Sequence, residues 1–178
     1  MMSTENLFLQ DVTAMRLSAR DFLAQGVSRD AAGQDTCATI KLLQAALSVE
    51  IVCVWRYTMM SVSARGLSDE QVGFEFQEQS NDERRHARMV AERIEQLGGT
   101  PNFQPEGLTS RLTMEYGTDA DLDSMIAQNL AAEQAVIAYY NDLIRHFQDT
   151  DPQTTAMFER ILLDEENHAT DMQDLLGP

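Results

Sequence analysis

Lysine is nearly absent: Lys41 is the single one in 178 residues. Asp and Glu outnumber Lys and Arg by 29 to 13, for a formal charge of −16. Counterion release on phosphate binding needs clustered basic side chains, so this balance argues against nucleic acid and favours cations as partners. Cysteine is scarce too. The two present, Cys37 and Cys53, together with an amino terminus that lacks a secretory pattern, predict a reducing, cytoplasmic setting. No apolar run approaches the roughly 20 residues of a membrane span, so no membrane is expected. The 43% of apolar residues are expected to fill the core of one soluble domain.

Histidine is the informative scarcity. Two of the three histidines stand in matching hexapeptides, Asp82-Glu83-Arg84-Arg85-His86-Ala87 and Asp164-Glu165-Glu166-Asn167-His168-Ala169. Both read Asp-Glu-x-x-His-Ala. On a helix, residues three apart share a face about one turn apart, so each Glu and His can point at the same ion. The match extends upstream: Glu50 lies 33 residues before Glu83 and seven before Tyr57, and Glu133 lies 32 before Glu165 and seven before Tyr140. The order Leu-x-x-Glu-x6-Tyr, then Asp-Glu-x-x-His-Ala, occurs twice and marks an internal duplication of a helix pair.

The periodicity along the chain is helical throughout. Phe8, Val12, Met15, Ala19 and Phe22 predict a short amphipathic helix over about 4–25, and the residues up to 35 read as a linker. The division is thus an amino-terminal helix and linker, 1–35, and a main domain, 36–178. In the main domain the face Leu43, Ala46, Glu50, Cys53, Tyr57 defines a helix to Arg65, with Gly66 available as a left-handed closing residue. Ser68-Asp69-Glu70-Gln71 reads as a capping box for a second helix with the face Val72, Phe76, Gln79, Glu83, His86, Val90, Ile94, Leu97. Residues 98–117, with Pro101, Pro105, Gly107 and Gly117, read as a long crossover containing a helical turn or two around 108–116. Thr118 or Asp119 is expected to cap the third helix, whose face is Leu122, Ile126, Asn129, Glu133, Val136, Tyr140, Leu143, Phe147. Asp151-Pro152 opens the fourth, with the face Phe158, Ile161, Glu165, His168, Met172, Leu175.

Each face is apolar at its ends and polar in its middle. Ionised carboxylates in a bundle core cost several kcal/mol each unless a cation compensates them. Two divalent ions would set four positive charges against four carboxylates, with two imidazoles completing the shell. One Glu from each of two helices and Glu-x-x-His from each of the other two is the ligand set of a carboxylate-bridged di-iron or di-manganese centre. Glu50, Glu83, His86, Glu133, Glu165 and His168 supply it.

With these residues in order and at this spacing, residues 36–176 resemble the ferritin-like superfamily, and within it the chain is most similar to bacterioferritin. The resemblance implies an all-α fold: an antiparallel four-helix bundle with a long crossover between its second and third helices, here with an extra amino-terminal helix. It implies that Glu50 and Glu133 are terminal ligands, that Glu83 and Glu165 bridge two iron ions, and that His86 and His168 each bind one. Tyr57 matches a tyrosine beside the family's di-iron site that is thought to supply an electron. The implied activity is that of a ferroxidase, oxidising Fe(II) with O2 or H2O2 for iron storage or detoxification in a homo-oligomer. Manganese suits the same ligands.

The chain departs from the family at three places. Arg84 stands where bacterioferritin has its haem-binding methionine, so haem is not expected. Only ten residues follow His168, too few for the fifth helix of a 24-subunit shell, which leaves a 12-subunit shell or a smaller oligomer open. Glu78 replaces an inner-surface histidine, next to a matching Asp82. Asp82 and Asp164 read either as groups that orient the imidazoles or as a solvated face. Cys53, one turn from Glu50, reads as a small buried residue, Tyr140 as a core tyrosine, Met59-Met60 as core or interface filling, and His146 as a helix-terminal cation rather than a ligand. The alternative activity is that of a di-metal peroxidase or catalase similar to rubrerythrin or manganese catalase. The absence of a Cys-x-x-Cys motif counts against the rubrerythrin form. A DNA-protecting miniferritin and a metal-free interaction protein explain the charge and the stacked glutamates less well.

Overall fold

The computed structural model describes residues 36–67, 69–104 and 121–177, which form four helices: α1 (Thr36–Gly66), α2 (Glu70–Gln96), α3 (Leu122–Phe147) and α4 (Pro152–Leu176). The expected amino-terminal helix and linker, the turns around 108–116, Ser68, and the Thr118 and Asp119 caps lie outside the described residues.

Cross-helix bonds fix the directions. Arg65 on α1 bonds Gln77 on α2, close to the link between them, so these two run antiparallel. Arg56 and Met60 of α1 both meet Asn129 of α3, while Tyr57 meets Glu133, which is again an antiparallel order. On α2 and α4, Arg93 bonds Asp151 while Arg85 bonds Asp164. Since α2 opposes α1 and α3 opposes α1, α2 and α3 are parallel. The connection from Leu97 to Asp121 must therefore return along the bundle. A 27-residue helix is about 40 Å long, and a segment of this size can reach roughly twice that.

Three of the helix starts share one device. Asp69 accepts from the Val72 N–H at 2.9 Å, Asp121 from Ser124 at 3.0 Å and Asp151 from Thr154 at 3.0 Å. Such a carboxylate satisfies one of the orphan donors of the first turn and favours the helix dipole. The expected caps shift accordingly. Asp69, not Ser68, caps α2, and Asp121 replaces Thr118 or Asp119 because it immediately precedes Leu122, the first residue to pack on the core. Pro152 occupies the first turn of α4 as expected. Gly66 is the last residue of α1 and is not left-handed; that conformation falls to Gly98 (φ 81°) and Gly177 (φ 71°). At Gly73 the α1 and α2 backbones come so close that a Cβ would lie 2.6 Å from Arg65 Cγ and 3.1 Å from the Ser61 carbonyl oxygen.

The four expected faces are the core, with only Leu97, Leu122 and Leu175 partly buried at its ends. The first helix is more deeply enclosed than one face predicts: Leu42, Val49, Val52, Arg56 and Met60 are buried as well. Among the described helices, α1 alone is long and apolar enough to cross a membrane, and 56% of its apolar window is buried inside the bundle. A search for an unbroken apolar run misses this because Glu50 and Arg56 interrupt it. Met60 fills core, whereas its neighbour Met59 is about half exposed.

Candidate metal centre

Halfway along the bundle each helix turns a carboxylate inward: Glu50 from α1, Glu83 from α2, Glu133 from α3 and Glu165 from α4, all at most 1% exposed. His86 lies one turn after Glu83, and His168 one turn after Glu165, both buried. The structure brings all six sequence-predicted ligands together. Their donor atoms form two overlapping groups, Glu50, Glu83, His86 and Glu165, and Glu83, Glu133, Glu165 and His168, each with its ligand atoms within 4.8 Å of one another. Glu83 and Glu165 belong to both groups, the arrangement that bridging carboxylates require. The imidazole rings face each other with centroids 6.3 Å apart.

Each histidine directs Nδ1 inward. His86 Nδ1 lies 3.2 Å from Glu83 and from Glu165, and 3.6 Å from Glu50; His168 Nδ1 lies 3.6 Å from Glu83 and 3.5 Å from Glu165. The opposite nitrogens are held crosswise. His86 Nε2 meets Asp164 of α4 at 3.0 Å, and His168 Nε2 meets Asp82 of α2 at 3.4 Å. Of the two readings of Asp82 and Asp164, the structure therefore favours imidazole orientation. Arg85 spans both aspartates, bonding Asp82 and lying 3.1 Å from Asp164.

The donor set fits divalent cations. Both oxygens of Glu50 and of Glu165, one each of Glu83 and Glu133, and His168 Nδ1 are buried without a hydrogen-bond partner. Buried polar atoms are rarely left this way, and here they converge on one point. Proton affinities tell the same story. Burial, followed by neighbouring carboxylates, pushes Glu83 and Glu133 well above the usual range, and burial also raises Glu50. Burial works against charge on the two histidines, but the carboxylates of Glu165, Glu50 and Glu83 close to its ring raise His86, and those of Glu165, Glu83 and Asp82 bring His168 to about 9. Burial would raise Glu165 too, but the two imidazoles beside it, His168 and His86, hold it at about 2. Protons thus stand where metal charge would otherwise be.

Tyr57 donates its hydroxyl to Glu133 Oε1, so it touches the ligand shell as expected. Tyr140 packs on Phe158 in the core, and its hydroxyl has no partner. It is Tyr139, which the sequence reading passed over, whose proton affinity is raised by burial and then by the charge of Glu50. Cys53 is buried, and burial with the charge of all four glutamates pushes its thiol well up. His146 sits edge-on to Phe147 at the end of α3, away from the ligand groups. Arg56 was also missed, although it lies three residues after Cys53 and hence on the same face; it is 2% exposed and bonds Asn129 Oδ1 at 2.9 Å.

A cleft of about 270 Å³ opens beside His168, lined by Glu75, Glu78, Asp82, Asp164 and Asp171, with the buried Gln79 on its wall. Arg84 lies exposed on the other side of α2, bonding Asn81 at 2.7 Å and edging an apolar groove that includes Ile51, Ala87 and Phe103.

Comparison with known proteins agrees with this geometry. A bacterioferritin from Desulfovibrio desulfuricans is 29% identical over 135 residues, spanning 74% of this chain and 70% of its own length. The structure of the bacterioferritin-related protein from Bacteroides fragilis, a dodecameric thioferritin, superposes with a TM-score of 0.71 at 27% identity, covering 90% of this chain and 92% of that one. The ferritin-like domain of the ferritin family matches residues 40–178. A four-helix bundle with this crossover and this cluster of carboxylates and imidazoles, matched over most of its length, makes the chain a member of the ferritin family.

Proposed function

We propose that the protein is a bacterioferritin-like ferroxidase, taking up Fe(II) at a di-iron site within one chain and oxidising it with O2 or H2O2 for iron storage or detoxification. The observation that carries this reading is the pair of overlapping donor groups with Glu83 and Glu165 in common. In it Glu50 and Glu133 are terminal ligands, Glu83 and Glu165 bridge, and each histidine serves one ion through Nδ1. Two Fe(II) ions held together can give up two electrons at once, which with two protons from solvent take one H2O2 to two waters without releasing a radical. The chain contributes the rest. Asp164 and Asp82 hold the imidazoles in the tautomer that presents Nδ1. Apolar layers above and below, including Phe76, Val90 and Phe158, keep bulk water from the buried carboxylates. The Tyr57 hydroxyl, which donates to Glu133, would supply an electron to the centre and its proton to that carboxylate. The acidic cleft beside His168 concentrates cations at the point of approach. We further propose a homo-oligomer, since the structurally similar thioferritin is dodecameric.

Fe(II) titration in air, with ferric ions counted per chain after desalting, tests the reading. Retention climbing to tens or more supports a closed shell with a mineral core. Retention that stops near two supports the second reading, a peroxidase or catalase that keeps two ions as a permanent cofactor. No retention overturns both.

A further inference from the structure

The two halves of the centre repeat each other in their ligands but not behind them. Seven residues separate Glu50 from Tyr57 and Glu133 from Tyr140, so the duplication sets Arg56 against Tyr139 and Asn129 against Ala46. In one half, Arg56 Nε donates to Asn129 Oδ1 at 2.9 Å, and Asn129 Nδ2 lies 2.8 Å from Met60 Sδ. Asn129 is one helical turn before Glu133 on α3, so this anchor holds a buried guanidinium within about a turn of that carboxylate. The Tyr57 hydroxyl occupies Oε1 of the same group. In the other half the matching pair, Tyr139 and Ala46, is buried and uncharged, and the Tyr139 hydroxyl has no partner. Neither oxygen of Glu50 has a hydrogen-bond partner, the nearest histidine nitrogen being 3.6 Å away.

We infer that Arg56, anchored by Asn129, is a positioning residue that makes the two ion sites unequal, weakening the Glu133/His168 site for a divalent cation relative to the Glu50/His86 site. A carboxylate that already accepts from a hydroxyl is a poorer donor, and a fixed cation nearby repels the incoming ion. Glu50 faces neither competitor. The inference rests on the di-metal reading above and concerns the order in which its two positions fill.

Anaerobic titration with Co(II), followed by its visible absorption, needs no turnover and reads each step. The wild-type protein is expected to bind two ions in two steps, on the order of tenfold apart in affinity. Glu133→Ala should remove the weaker step and keep the tighter one; Glu50→Ala should remove the tighter one. Arg56→Gln, which can still bond Asn129 but carries no charge, should tighten the weak step by on the order of tenfold and leave the strong step in place. Asn129→Asp, which neutralises the guanidinium where it stands, should move the same step in the same direction. Two indistinguishable ions in the wild type overturn the inference, as does a weak step unmoved in either folded variant or both steps weakened equally. No bound Co(II) in the wild type would instead overturn the di-metal reading itself.

Discussion

His86 Nε2 lies 3.0 Å from a carboxylate oxygen of Asp164, a residue on a different helix. His168 and Asp82 repeat the arrangement in reverse at 3.4 Å. The residue just before each Glu-x-x-His pair therefore serves the other pair's histidine, and the α2–α4 contact itself aims both rings. Replacing such a partner commonly lowers metal affinity by about 10–100-fold. Asp164→Ala is expected to weaken ion binding within that range without unfolding the bundle, since Asp164 is partly exposed. Competition with a chromophoric chelator measures it, and an unchanged affinity would show that Asp164 does not orient the ring.

Removal of both shared carboxylates should be decisive for the proposed centre. The double variant Glu83→Ala, Glu165→Ala strips one ligand pair common to both donor groups. It should retain no metal after desalting and should oxidise Fe(II) no faster than the buffer. A wild-type oxidation rate in this variant would place the chemistry elsewhere.

In the metal-free protein, stability should depend on pH in an unusual direction. His168 has its folded proton affinity raised from 6.5 to about 9. Its contribution is complete below about pH 6.5 and disappears as pH rises through about 9. The raised Glu50, Glu83 and Glu133 act with the same sign, because the folded state keeps protons that the unfolded chain releases. Glu165, held at about 2, acts oppositely, but its loss comes only as pH falls below the ordinary carboxylate range. Tm of the metal-free form should fall between about pH 6.5 and 9, while bound divalent ions, which replace those protons, should flatten the curve. Thermal scans with and without metal check this, and a metal-free Tm that rises over the same interval would contradict it.

Far from the centre, the buried pair Arg93–Asp151 fastens the end of α2 to the start of α4. Its Nη2 is 3.0 and 2.8 Å from the two Asp151 oxygens, while Nε donates to Thr154 Oγ1 at 2.8 Å. Asp151→Ala would strand the guanidinium and remove the α4 cap, for a loss of about 3–5 kcal/mol. Urea unfolding should show it, with ion stoichiometry unchanged in the protein that remains folded.

How much of this was legible beforehand follows from which signals repeat. The six clustered carboxylate and imidazole positions were readable because a Glu seven residues before a Tyr and the Asp-Glu-x-x-His-Ala hexapeptide both occur twice. The four core faces were readable because a single stripe at steps of three and four suffices for α2, α3 and α4. The first helix broke that rule: it is enclosed on several sides, so a one-face search left out Arg56, and Tyr139 was hidden by its neighbour Tyr140, which holds the duplicated position. Caps were displaced by a few residues at α3 and by one at α2, where several capping residues stand in succession and only the backbone decides among them. The crosswise pairing of histidines and aspartates needs the distance between two helices, which no spacing along the chain contains.

The parallel course of α2 and α3 has a further consequence. Glu50, Glu83 and His86 all come from the first hairpin, and Glu133, Glu165 and His168 from the second, so each donor group among the described residues draws on both hairpins. Each ion of the proposed centre would thus be a staple between half-proteins. A chain nicked between the two hairpins should stay associated while the staples are in place, and chelation should let the halves part. In this sense metal loading would give the two copies of the hairpin a second connection, which a chelator can cut while leaving the peptide chain intact.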